Sequence, residues 1–262
     1  MSNSMTALIT GGAQGLGLAV AKKLLHDGAS AVVLADRQVD VGEAAAAALR
    51  AEGHDANFVE VEMRDPDSIE QMVQSAKAHM GSVTALVNSA ADCGRGDILQ
   101  TTPDVWDRIM QINARGPFFA IQSFAKAAIA AGHGGGVVNI QSITMHGGLS
   151  FLAPYVMSKA ALSALTKNAA HTLTPHGIRV NGINVGWMDT PGEDATQRAW
   201  HGREDGWQDD AAKAQPFGQM VRPEEVAAQV ALFLSPAIGV VTGTVMDFDQ
   251  RVMGIYPDTN EA

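Results

Sequence analysis

Cysteine is nearly absent from this chain of 262 residues: Cys93 stands alone, which excludes an intrachain disulfide and is compatible with a reducing compartment. A small buried or loop residue is the ordinary role for such a cysteine. Basic residues are scarce too, with 18 Lys and Arg against 28 Asp and Glu, and they form no cluster. A nucleic-acid surface depends on clustered cations, so nucleic acid is excluded as a partner and a small-molecule substrate is expected. Long apolar runs are missing as well. None approaches the roughly 18 residues of a membrane span, and the segment before Ala7 lacks the basic flank and apolar stretch of a signal peptide. A cytoplasmic protein that meets no membrane is the resulting expectation. His146 and His201 have no partner at metal-ligand spacing, so no metal is expected, and no internal repeat is visible.

What the chain does have is apolar mass. At 46% apolar residues it can bury a large core without disulfide or metal. An apolar run at residues 7–9 meets a glycine cluster and then the helical pattern Leu16, Val20, Leu24, Leu25, closed by Gly28. Strand-like runs follow at 31–35, 56–61, 84–87, 136–140, 179–185 and 243–248, separated by helical stretches. Asp65-Pro66, Thr102-Pro103 and Arg222-Pro223 each read as a helix start, since proline's missing N–H costs nothing in the first turn. The alternation predicts one doubly wound α/β domain spanning residues 1–262, with about seven parallel strands and helices on both faces. Residues 190–216, rich in Gly, Asp, Gln and Trp with little sheet character, interrupt the rhythm and read as a substrate lid.

Two features point to a dinucleotide. Thr10-Gly11-Gly12-Ala13-Gln14-Gly15-Leu16-Gly17 follows the first strand and opens the first helix, where backbone N–H groups and the helix dipole favour a pyrophosphate. Asp36 ends the second strand, where a carboxylate accepts the hydroxyl protons of an adenosine ribose and repels a 2′-phosphate. That favours NAD over NADP, although the adjacent Arg37 can attract a 2′-phosphate or stack on adenine.

Tyr155 and Lys159 are spaced i, i+4 on a helix that begins near Pro154, so both project from one face. A phenol is a poor base near neutrality, and a neighbouring ammonium lowers its pKa. Ser142 lies just past the strand at 137–140, at the carboxyl end of the sheet where ligands bind in such folds. Its hydroxyl can hold a reacting oxygen while Tyr155 exchanges the proton.

On these residues the sequence resembles the short-chain dehydrogenase/reductase family, whose T-G-x-x-x-G-x-G turn appears as Thr10 to Gly17 and whose Ser, Tyr and Lys appear as Ser142, Tyr155 and Lys159. Asn113 matches the helix Asn of the family's catalytic tetrad. The resemblance covers nearly the whole chain. It implies a Rossmann fold and hydride transfer between NAD and a secondary alcohol or ketone. It also implies that Lys159 binds the nicotinamide ribose and that Asn113 holds a water in a proton relay through the ribose and Lys159. The expected cofactor shell is Gly11, Gln14, Gly15, Leu16, Gly17, Asp36, Arg37, Glu62, Met63, Asn88, Ala90, Gly186, Met188 and Thr190 with the Tyr–Lys pair. A homotetramer is implied, with residues 103–130 and 153–170 facing symmetry mates. Phe118, Phe119, Ile121 and Phe124 serve equally well as core, and the apolar tail 252–256 either crosses a subunit boundary or closes the active site.

The chain departs from the family pattern at two places. Ala91 stands where a glycine usually follows Asn-Asn-Ala, and Val185 replaces proline before Gly186. Thr144, Met145 and His146, with Asp92, Arg95, Trp187, Trp200, His201, Arg203 and Trp207, are expected around the substrate, with Thr144, His146 and Trp187 foremost. Mixed aromatic faces and polar groups suit a sugar or polyol. The alternatives are an NADP-dependent ketone or 3-oxoacyl reductase and a nucleotide-binding regulator without catalysis.

Overall fold

The first two strands carry apolar side chains at almost every position and are buried along their whole length, as parallel strands covered on both faces must be. In the computed structural model, which describes residues 5–254, the chain runs β1 (Thr6–Thr10), α1 (Gly15–His26), β2 (Ala31–Asp36), α2 (Val39–Ala51), β3 (Ala56–Glu60), α3 (Pro66–Met80), β4 (Ala85–Asn88), α4 (Pro103–Met110), α5 (Gly116–Ala130), β5 (Gly135–Ser142), α6 (Ala153–Leu173), β6 (Ile178–Val185), α7 (Pro191–His201), α8 (Trp207–Lys213), α9 (Pro223–Leu234) and β7 (Val245–Phe248). The seven strands form one sheet in the order β3-β2-β1-β4-β5-β6-β7, every pairing parallel. The order reverses between β1 and β4, which opens a crevice at their carboxyl ends.

Alternate residues of each strand face opposite layers. Ile9, Leu34, Val138 and Ile183 pack against Val20 and Leu24 of α1 and Val226 and Val230 of α9. Leu8, Val33, Leu86 and Val137 pack against Ile69 and Met72 of α3, Ile121 and Phe124 of α5 and Leu173 of α6. The aromatic stripe on α5 is therefore divided: Ile121 and Phe124 are core, whereas Phe118 is exposed.

The helix starts at proline form as their sequences dictate. Asp65 accepts a hydrogen bond from Asp67 N at 3.0 Å and Thr102 one from Val105 N at 3.4 Å, each capping free N–H groups. Between α4 and α5 the chain widens into a π-helical turn at Gln111–Arg115, a distortion that often marks a functional site. The last strand begins at Val245, because Gly243 at φ +73° is in a turn conformation. Residues 190–216 carry two helices, α7 and α8, and Trp207 and Ala211 of α8 pack in a small cluster with Met220 and Trp187 from outside the segment, Trp207 stacking on Trp187 at 5.7 Å. Of the apolar tail 252–256, residues 255 and 256 lie outside the described residues. No helix among the described residues is long and apolar enough to cross a membrane.

Candidate active site

The reversal of strand order is filled by one large cavity of about 1210 Å³, walled by the glycine turn, the ends of β2, β4, β5 and β6, the start of α6 and the face of α7. The turn owes its shape to two glycines. Gly11 sits at φ +67°, and a Cβ on it would lie 2.8 Å from Ala90 N; a Cβ on Gly17 would lie 2.1 Å from the Gly11 carbonyl oxygen. Helix α1 then starts with no side-chain cap and no acidic residue in its first turn, so its leading N–H groups face the cavity uncommitted. An anion fits such a helix end.

Asp36 closes β2 at the same wall. Its Oδ2 accepts from Ala13 N at 3.4 Å and its Oδ1 from Gln38 N at 3.1 Å, so the carboxylate is aimed by the turn itself. Arg37, Glu62 and Met63 line the same end. Glu62 holds Arg64 through a 2.8 Å ion pair and a 2.9 Å bond to Arg64 N, which keeps its carboxyl below the usual range and engages both its oxygens. Gln14, Gly15, Leu16, Gly17, Ala90, Gly186, Met188 and Thr190 also line the cavity. The Thr190 hydroxyl caps α7 by accepting from Glu193 N at 3.1 Å. A Cβ on Gly186 would lie 2.1 Å from Asp249 Oδ1, so a side chain there requires the Asp249 side chain to move.

Asn88, expected in the cofactor shell, does not line the cavity. Its side chain is buried inside the sheet, donating to Asn139 Oδ1 at 2.8 Å, and Ser89, Ala90 and Ala91 form that part of the wall instead. Ala91 adopts no positive φ, so replacing the family's glycine strains nothing.

At the other end of the cavity stand Ser142, Tyr155 and Lys159. The Lys159 ammonium is 3% exposed, donates to the Ile140 carbonyl at 2.9 Å and lies 5.6 Å from the centre of the Tyr155 ring. Burial lowers its pKa from 10.5 to about 8. The expected fall in the phenol's pKa is overturned here: burial, followed by the neighbouring Cys93, raises Tyr155 well above its ordinary value, and the Ser142 hydroxyl only partly opposes this. Desolvation is the largest cause of both shifts. Ser142 itself accepts from Thr144 Oγ1 at 2.9 Å and Thr144 N at 3.3 Å.

Asn113, wholly buried in the π-turn, does not line the cavity. Its Oδ1 accepts from Asp92 N at 2.7 Å, and its Nδ2 donates to Asp92 O at 2.9 Å and Ser158 Oγ at 3.0 Å. The amide thus staples the loop after β4 to α6.

Of the substrate side chains expected from sequence, Thr144, Trp187, Asp92, Arg95, Trp200, His201 and Arg203 reach the cavity. His146 and Met145 do not. The 3₁₀ turn at Ile143–His146 brings Thr144 to the wall and leaves His146 with Asp247 Oδ1 at 2.9 Å. Trp207 of α8 is buried, its Nε1 donating to Asp194 Oδ1 of α7 at 2.8 Å. Two residues that sequence reasoning missed are Cys93, whose thiol lies against the Tyr155 phenol and is raised by burial, and Glu193, which accepts from Trp187 Nε1 at 2.8 Å and Gln197 Nε2 at 2.7 Å.

A nucleotide-shaped turn at a switch point, facing buried Ser142 and Lys159 with the half-buried Tyr155, is the layout of a dinucleotide-dependent oxidoreductase. Over residues 11–250 the chain matches the family model described as enoyl-(acyl carrier protein) reductase. It is 34% identical over 241 residues to galactitol 2-dehydrogenase of Agrobacterium fabrum, covering 90% of this chain and 91% of the relative. With sorbitol dehydrogenase of Cereibacter sphaeroides it shares 32% identity over 248 residues, 93% of this chain and 95% of the other. A variant of actinorhodin polyketide ketoreductase, solved with NADPH, has a TM-score of 0.87 at 28% identity, over 95% of this chain and 97% of that one. The chain belongs to the short-chain dehydrogenase/reductase family. It is accordingly an oxidoreductase of alcohol and carbonyl groups that uses a nicotinamide cofactor and a small-molecule substrate.

Proposed function

We propose that this enzyme is an NAD-dependent dehydrogenase of sugars or polyols, a cytoplasmic homotetramer with a single domain over residues 1–262 and a lid at 190–216. The observation that carries the cofactor choice is the Asp36 carboxylate, held at the cavity wall by Ala13 N and Gln38 N. There it can accept from paired ribose hydroxyls, and a 2′-phosphate would meet a like charge. The uncommitted first turn of α1 suits the pyrophosphate. When bound, the nicotinamide supplies or accepts the hydride.

The chain's own residues manage the proton. Ser142 donates its hydroxyl hydrogen to the substrate oxygen, and the Tyr155 hydroxyl gives a proton to that oxygen in reduction or takes one from it in oxidation. A raised phenol suits the acid role. Lys159, near pKa 8, can exchange a proton close to neutrality and keeps N–H groups available for a ribose while one holds Ile140 O. Asn113 has its side chain saturated, so its part in a relay falls on the main-chain carbonyl of the π-turn.

The likeness to galactitol and sorbitol dehydrogenases supports a polyhydroxylated substrate, as does a wall that mixes Trp187 and Trp200 with Thr144, Gln197 and Glu193. The exposed Phe118 of α5 and Met157 of α6 support an assembly through those helices. Steady-state assays of sugars, polyols and hydroxy acids with NAD and with NADP at mildly alkaline pH test the reading: NAD reduction by a polyol is expected, and a preference for NADP or turnover only of acyl ketones would overturn it.

A further inference from the structure

We propose that the substrate carries an anionic group, a carboxylate or phosphate on its polyhydroxylated body, received by Arg95 and Arg203 beside His201 at the lid end of the cavity. The inference rests on the reading of this cavity as an alcohol dehydrogenase site and names the chemistry of its occupant.

Arg64, Arg108, Arg198 and Arg222 hold carboxylates, whereas among the described residues Arg37, Arg50, Arg115, Arg179 and Arg251 form no such pair. Arg95 and Arg203 both line the cavity, and among the described residues neither has an acidic partner within ion-pair distance. Arg95 is nonetheless held in place. Its Nη1 donates to Cys93 O at 2.7 Å, its Nε to His201 Nε2 at 3.2 Å, and its guanidinium lies 5.6 Å over the Phe151 ring, which His201 meets edge-on at 5.0 Å. These contacts orient the fork without neutralising it, and a guanidinium does not lose its proton.

The bond from Arg95 also fixes the histidine. To accept at Nε2 the ring must be neutral, and burial, Arg95 and Arg203 together keep His201 below its ordinary pKa. Its Nδ1–H is then a further donor. Half-buried Arg95 and the exposed Arg203 and His201 thus bring two cations and a donor to the wall of one cavity. Of the carboxylates nearby, Asp92 is paired with Arg108 at 2.7 Å, while Glu193 accepts from the neutral Trp187 and Gln197 and keeps its charge, which acts on His201 against the two arginines.

The cluster belongs to the reacting end and not to the dinucleotide. Gly96, next to Arg95, donates to Phe151 O at 2.9 Å and accepts from Ala153 N at 2.9 Å, which ties this loop to the start of α6 ahead of Tyr155. Cys93, two residues earlier, touches the phenol. The anion-binding start of α1 and Asp36 line the other end of the cavity.

The test compares matched pairs as substrates of the full chain with NAD: sorbitol against gluconate, galactitol against galactonate, and glucose against glucose 6-phosphate, each at low and high salt. The expected result is a kcat/KM about tenfold or more higher for the anionic member of a pair, the scale of one charge-assisted hydrogen bond, declining with salt. The acid and phosphate arms tell which anion is meant. In Arg95→Met/Arg203→Met the anion-to-neutral ratio collapses through KM, and Arg95→Lys restores part of it. Equal use of neutral and anionic members, or a ratio unchanged in the double variant, overturns the inference while leaving the polyol reading intact. Should no alcohol reduce NAD, the polyol reading falls, and tryptophan fluorescence decides the anion site with NADH present. Saturable, salt-sensitive quenching by gluconate or glucose 6-phosphate that the double variant loses supports it, and no such binding refutes it.

Discussion

Lys159→Met is expected to make the protein more stable while removing its activity. The ammonium is 3% exposed, has one hydrogen bond, to Ile140 O, and is held at a pKa of about 8 against 10.5 for a free lysine. That difference means the fold disfavours the charged form by about 3 kcal/mol. Methionine matches the stem and carries no charge, and its failure to bond Ile140 O returns about 1 kcal/mol. A net gain of about 2 kcal/mol raises the melting temperature by about 4–8 °C in a chain of this size. The pH dependence follows from the direction of the shift. Below pH 8 lysine is charged in both folded and unfolded chains and the full penalty is present; it fades as pH rises from about 8 to 10.5. Thermal melts of the cofactor-free protein and variant at neutral pH and near pH 10 provide the measurement. A variant that melts no higher than the parent at neutral pH, or a gap that does not narrow at alkaline pH, would refute the reasoning.

Replacing Asp36 by Ala should raise the KM for NAD by about tenfold or more through lost ribose hydrogen bonds and reduce the preference for NAD over NADP, read from initial rates. Gly17→Ala places a Cβ 2.1 Å from the Gly11 carbonyl oxygen and should weaken nucleotide binding at least about tenfold, measured by titration with NADH, with the circular dichroism of the sheet retained. With Tyr155 raised, alcohol oxidation should climb with pH past neutrality, while carbonyl reduction holds at neutral pH, where the phenol keeps its proton. Since Cys93 contributes to that rise, Cys93→Ala should move the alkaline limb of oxidation to lower pH; an unmoved limb would show that the thiol does not act on the phenol.

The sheet was legible because its signals are local. Fully buried strands read as continuous apolar runs, and Asp65-Pro66 and Thr102-Pro103 mark helix starts in any context. Residues 190–216 were legible only as an interruption, since α7 and α8 are polar on most faces and anchor through Trp207 and Trp187, partners 20 residues apart whose stacking no periodicity announces. Ser142, Tyr155 and Lys159 could be found from spacing. Their electrostatics could not, because the sign of the Tyr155 shift depends on how deeply the pair is buried and on Cys93 arriving from another loop. His146 illustrates the limit at one turn: nothing local distinguishes it from Thr144, yet Asp247 on β7 draws it off the cavity wall. Asn88 likewise looked like a cofactor contact until Asn139 on the neighbouring strand appeared opposite it.

The claim on which everything else depends is that the Tyr155 hydroxyl carries the proton. The direct measurement is the kcat of Tyr155→Phe with the best alcohol and NAD at alkaline pH, alongside NADH affinity by fluorescence. A fall of about 10²–10⁴ in kcat with NADH binding changed by less than about threefold is expected. Turnover within tenfold of the parent would contradict the account.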